Sequence, residues 1–142
     1  QECVLHVPAI VLSEIAAALA RGAGDPDLAR EAIGLYRQWP GVRITPVDEM
    51  LGSLAADVAA GSRIRGCDAV YVALAYMEQG VLVTLDGQQR ERVPSGVTAC
   101  TPAQALAPPA IFQASGGHVS CPGSPGCGMV WKLQRSFPVF TS

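Results

Sequence analysis

Lysine is almost missing from this chain: the one copy is Lys132, and every cation before Ala107 is an arginine. Arginine-only usage is compatible with phosphate contacts, because the planar guanidinium matches phosphate geometry. Charge of either sign is sparse, at 15% of residues, which excludes a disordered polyelectrolyte. Long apolar runs are missing too. The longest uncharged one, Ala69 to Met77, is far shorter than the ~20 residues a bilayer span needs, so no membrane association is expected. No secretory signal is visible, because the chain opens Gln1-Glu2-Cys3 without a basic start or an apolar core of the right form. It also lacks an initiator methionine, which suggests a processed chain, a trimmed one or a fragment. Five cysteines, an odd count scattered over positions 3, 67, 100, 121 and 127, argue against a disulfide framework. Buried free thiols in a reducing, cytoplasmic setting are the expectation.

What is present is an apolar, acidic chain. Its 142 residues fit one domain, and 49% apolar content is enough for a core at this length. All twelve Asp and Glu lie before Ala107, where eight Arg leave a balance of −4. A generic nucleic-acid-binding surface would be basic. An acidic one fits a site where carboxylates are offset by a bound cation. Composition then divides the chain. Residues 1–107 carry the periodic patterns, whereas 108–142 hold five Gly, five Pro and no acid, and read as an irregular tail. His118, Cys121 and Cys127 within that tail do not match the usual zinc-ligand spacings.

Within 1–107 the pattern predicts a helix from Pro8 to about Gly22, with Ile15, Ala16 and Leu19 at helical spacing. A second helix opens at Asp25-Pro26 and stops at Pro40-Gly41, with Leu28, Ala32, Leu35 and Trp39 as its apolar side. A strand over Val42–Val47 follows, then a helix capped by Asp48 and ended by Gly61. The next helix starts near Asp68, packs through Val70, Leu74 and Met77, and ends at Gly80. Val81–Leu85 reads as a buried central strand running into Asp86-Gly87, with a last strand over Val97–Thr101 and a helical turn over Pro102–Leu106. The alternation predicts an α/β fold: a parallel sheet with helices on both faces.

Three acids stand out. Glu14 lies among Ile10, Val11, Leu12, Ile15 and Ala16, where a lone buried carboxylate is costly. Asp68 opens an apolar helix, where an N-cap role is the plain alternative. Asp86 ends the most apolar strand, where a simple turn is the alternative. In parallel α/β sheets ligands bind beyond the carboxyl ends of the strands, which makes Asp86 a site candidate on its own.

The segments Val7 to Glu14, Gly66 to Ala75 and Leu82 to Asp86 resemble, in order and spacing, the later motifs of PIN-domain ribonucleases. The toxins of VapBC toxin–antitoxin pairs are the nearest in kind. The likeness covers about residues 5 to 107, with Asp68-Ala69 through Ala73-Leu74-Ala75 as its most specific piece. It implies a metal-dependent endoribonuclease in which Glu14, Asp68 and Asp86 hold Mg²⁺ or Mn²⁺ and Thr84 helps position the attacking water. RNA is then the substrate, and a cognate antitoxin and a second copy of the chain are the protein partners. Arg63 and Arg65, just before Asp68, are candidates for RNA phosphate contacts, with solvated surface arginine the alternative. The family's first acid belongs to an N-terminal, normally central strand reading Leu-Asp-x-Ser/Asn. Here Glu2 is the only acid ahead of Glu14 and lacks that motif, so the fold is expected to be N-terminally incomplete. The alternatives are a catalytically inactive remnant that acts through antitoxin binding or self-association, and a small α/β binding module with incidental acids.

Overall fold

The computed structural model describes residues 3–106 and 129–133. In chain order the elements are β1 (Cys3–Pro8), α1 (Ile10–Ala23), α2 (Pro26–Arg37), β2 (Val42–Thr45), α3 (Glu49–Ser62), α4 (Gly66–Met77), β3 (Val81–Val83), α5 (Gly87–Glu91), β4 (Thr98–Cys100), α6 (Pro102–Ala105) and β5 (Met129–Leu133). The strands form one sheet in the order β2-β1-β5-β3-β4. β1 pairs with β2 and β3 with β4, each parallel, while β5 is antiparallel to both β1 and β3. Four strands therefore run one way and β5 runs against them. The α/β expectation holds, and right-handed crossovers in this order put α1–α2 and α3–α4 on opposite faces.

Local chemistry explains most element ends. The Asp25 carboxylate accepts from the Asp27 and Leu28 amides at 2.9 and 3.2 Å, satisfying donors that helix geometry leaves orphaned at the start of α2. Asp48 does the same for α3 through Leu51, at 2.9 Å. Gly24 ends α1 in the left-handed region, φ 67°, returning its amide to Ala20 at 3.0 Å. α3 ends past Gly61, at Arg63, which adopts φ 54°. Thr101 and Gln104 open α6 with a reciprocal capping box.

The core is built on α4. Ala69, Tyr71, Val72, Ala73, Leu74 and Ala75 are all buried, and they pack with Val7 of β1, Leu82 of β3 and Leu51, Ala55 and Val58 of α3. Burying each Val or Leu in that cluster contributes about 1.5–3 kcal/mol. Small residues at 69, 73 and 75 let the helix approach the sheet closely. α4 is thus a fixed platform, and side chains at its first turn inherit that rigidity.

Three expectations need correction. Cys3–Pro8 is a strand, and the first helix starts at Ile10 rather than at Pro8. β1 gains a hydrogen-bonded neighbour in β2, and the Ala9 amide extends that ladder to the Thr45 carbonyl at 2.8 Å. The apolar side expected of α2 is its outer side: Leu35 and Trp39 are 65% and 64% exposed, whereas Ala29 is buried and Ile33 and Tyr36 are half-buried. Ala29, Ile33 and Tyr36 recur at helical spacing, and α1 is the main neighbour of α2. Finally, Met129–Leu133 is not irregular. It inserts between β1 and β3, with Leu5 and Val81 both opposite Trp131, and ladder bonds on two sides outweigh the Gly- and Pro-rich surroundings. The rest of the 108–142 tail, including His118, Cys121 and Cys127, lies outside the described residues.

Candidate metal centre

Four local structures deliver the candidate side chains. The first is the loop after β3. Thr84 is buried, and its amide donates to the Cys100 carbonyl at 2.9 Å, which fixes it to the neighbouring strand. Its hydroxyl oxygen accepts the Asp86 amide at 3.1 Å, and the Arg90 guanidinium caps its carbonyl at 3.0 Å. This geometry sets the backbone at Asp86. Thr84 therefore touches Asp86 directly and acts on the edge through it.

The second is the start of α5. Asp86 is its N-cap: Oδ1 accepts from the Gln88 and Gln89 amides at 2.8 and 3.1 Å. That leaves Oδ2 turned outward, 3.5 Å from an Arg65 Nη2.

The third is the first turn of α4. The N-cap here is Arg65, so Asp68 is not a cap but the third residue of the helix. Its Oδ2 accepts from Arg65 Nε at 2.7 Å. A negative side chain in the first turn also faces the positive end of the helix dipole. Gln89 ties this turn to the preceding element: its amide nitrogen donates to the Asp68 carbonyl at 3.0 Å, which locks α5 against α4. Gln89 is 2% exposed, and among the described residues its Oε1 is the one buried side-chain oxygen or nitrogen without a hydrogen-bond partner.

One guanidinium therefore bridges two carboxylates. The Oδ2 oxygens of Asp68 and Asp86 both face Arg65, while their side chains are only 15% and 17% exposed and that of Arg65 is 62% exposed. The hydrogen bond to Asp68, then the charge of Asp68, hold the Arg65 pKa above its ordinary value.

The fourth is α1, where Glu14 is half-buried and accepts a hydrogen bond from the Tyr71 hydroxyl. Tyr71 sits one turn beyond Asp68 on α4 and is itself buried, so Glu14 is fastened to the same helix. The structure brings Asp68 and Asp86 to one point and links Glu14 to that helix through Tyr71. Among the described residues no group of three or more His, Cys, Asp or Glu is placed to hold a metal ion.

The pair of carboxylates fits a hard divalent cation nonetheless. It offers two carboxylate oxygens that meet one cationic group, a donor set suited to Mg²⁺, which binds through one or two carboxylates and keeps several waters. Arg63 is exposed; its carbonyl accepts from Arg92 at 2.8 Å. Sequence reasoning missed Tyr71 and Gln89. Tyr71 lies three residues after Asp68, a spacing that puts both on one helix face, but Gln89 reads as an ordinary surface residue in Gly-Gln-Gln-Arg.

Among the described residues no helix is long and apolar enough to cross a membrane. Comparison with known families adds one match: the model described as PIN domain covers residues 3–93, from β1 through the α5 region. No curated protein matches, and no solved structure does.

Proposed function

The chain belongs to the PIN domain family, and on that premise we propose that it is a metal-dependent endoribonuclease of the toxin–antitoxin type. PIN domains are in general divalent-metal-dependent nucleases that act on RNA. The observation that carries the reading is the convergence of the Asp68 and Asp86 Oδ2 atoms on a single cation, Arg65. Two carboxylates so placed are suited to Mg²⁺ or Mn²⁺, with Glu14 as the third acid, one hydrogen bond from Tyr71. When bound, the cation supplies Lewis acidity toward an RNA phosphodiester and offsets the charge that builds up during its hydrolysis.

The chain's own residues have separable tasks. Asp86 divides its carboxylate between the α5 amides and the site, so that its outward oxygen is fixed by the helix start. Thr84 orients Asp86 through its hydroxyl, and its candidate role with the attacking water is exercised from there. Tyr71 keeps Glu14 directed along α4. Arg63 and Arg65 flank the start of α4, where their charge can meet RNA phosphate. A cognate antitoxin is the protein partner of this reading, and the exposed apolar residues Leu28 and Leu35 of α2, with Trp39 just past its end, support a protein partner.

The test is cleavage of single-stranded RNA by the intact chain with Mn²⁺, with EDTA as the metal-free control. Cleavage that EDTA and Asp68→Ala both abolish supports the proposal. RNA left intact, despite folded protein and bound Mn²⁺, would refute the nuclease reading and leave the inactive, antitoxin-binding form.

A further inference from the structure

Arg65 is the most exposed member of the acidic cluster, yet it makes the cluster's two ion pairs. Its Nε meets Asp68 at 2.7 Å and its Nη2 meets Asp86 at 3.5 Å. On Asp86 this is the oxygen left over, because Oδ1 is committed to the α5 amides. The arginine is therefore using the lone pairs that a divalent cation would need. Two part-buried carboxylates on adjoining helix starts repel each other unless a positive charge stands between them. Gln89 and the α5 cap prevent them from moving apart.

We propose that Arg65 is a resident counter-ion, which holds the Asp68–Asp86 pair together in the metal-free protein and must leave before a divalent cation enters. The proposal rests on the metal reading above and adds that the site is occupied from within by its own chain. The geometry favours easy displacement. The guanidinium is attached to a long side chain that is mostly in water, and exposed ion pairs are weak and loosened by salt. Its two partners, by contrast, are anchored by helix starts. Metal entry exchanges one cation for another around a fixed pair of oxygens, and the released guanidinium becomes available to an RNA phosphate.

This predicts a gain, which misfolding cannot imitate. In calorimetric titration of Mn²⁺ into the intact chain, Arg65→Ala should bind the ion roughly five-fold more tightly than the unaltered protein, the scale expected from removing two exposed ion pairs. Arg65→Lys, a point charge without the planar fork, should fall between the two. Metal-free Arg65→Ala should also melt at a lower temperature than the unaltered protein, and Mn²⁺ should raise its melting temperature by more. Equal affinity in Arg65→Ala and the unaltered protein would overturn the counter-ion role and leave the metal site standing. Weaker binding in Arg65→Ala would overturn it as well, making Arg65 a support of the site. No Mn²⁺ binding by either form would overturn both this inference and the metal reading.

Discussion

The two arms of the acidic edge are held in different ways. Asp68 and Asp86 share an ion-pair partner across two elements, Arg65, whereas Glu14 is tied to α4 by a hydrogen bond from the Tyr71 hydroxyl. The first arrangement offsets charge, and so tolerates two carboxylates close together. The second replaces a hydrogen bond to water lost on partial burial and fastens the carboxylate to the helix that carries Asp68. On the proposed reading, the aspartate pair is where a cation would sit, with Glu14 to its side.

Substitutions can break that comparison in order of size. Asp68→Asn keeps the shape but removes a charge from the pair, and RNA cleavage should fall on the order of a hundredfold or more, read in initial rates. Next, Asp86→Ala and Asp48→Ala each remove a helix cap and should each cost about 1 kcal/mol in urea denaturation. Only Asp86→Ala should also lose Mn²⁺ affinity, which separates capping from metal binding. Tyr71→Phe removes the donor to Glu14 and should lower stability by about 1 kcal/mol, with a several-fold loss of cleavage that leaves the aspartate pair intact. The smallest effect concerns the thiols. Cys67 is exposed beside Asp68, whereas Cys100 is buried, and burial pushes its pKa up. Peptide mass spectrometry after brief alkylation should find Cys67 labelled well before Cys100.

Sequence reading reached the helix ends and core positions more fully than the order of the sheet. Asp25, Asp48 and Asp86 were legible as caps or turns because short-range chemistry decides them. Leu74 and Val58 were legible because helical spacing follows burial. β1 and β5 were not, since neither has a strong pattern of its own and both depend on neighbours far along the chain. The outward turn of Leu28, Leu35 and Trp39 was hidden for the same reason: periodicity finds an apolar side without saying what covers it. At the site, the three acids were visible singly from their apolar settings. The Arg65 bridge needed the distance between α4 and the loop after β3, which no local pattern contains.

Whether Asp68 and Asp86 form the heart of a divalent cation site is decided by one titration. Mn²⁺ is added to the unaltered chain and to the Asp68→Asn, Asp86→Asn double variant under calorimetry, with folding of both checked by circular dichroism. Saturable binding by the unaltered chain and none by the folded double variant is the expected result. Equal binding by both, or no binding by the unaltered chain, would contradict it.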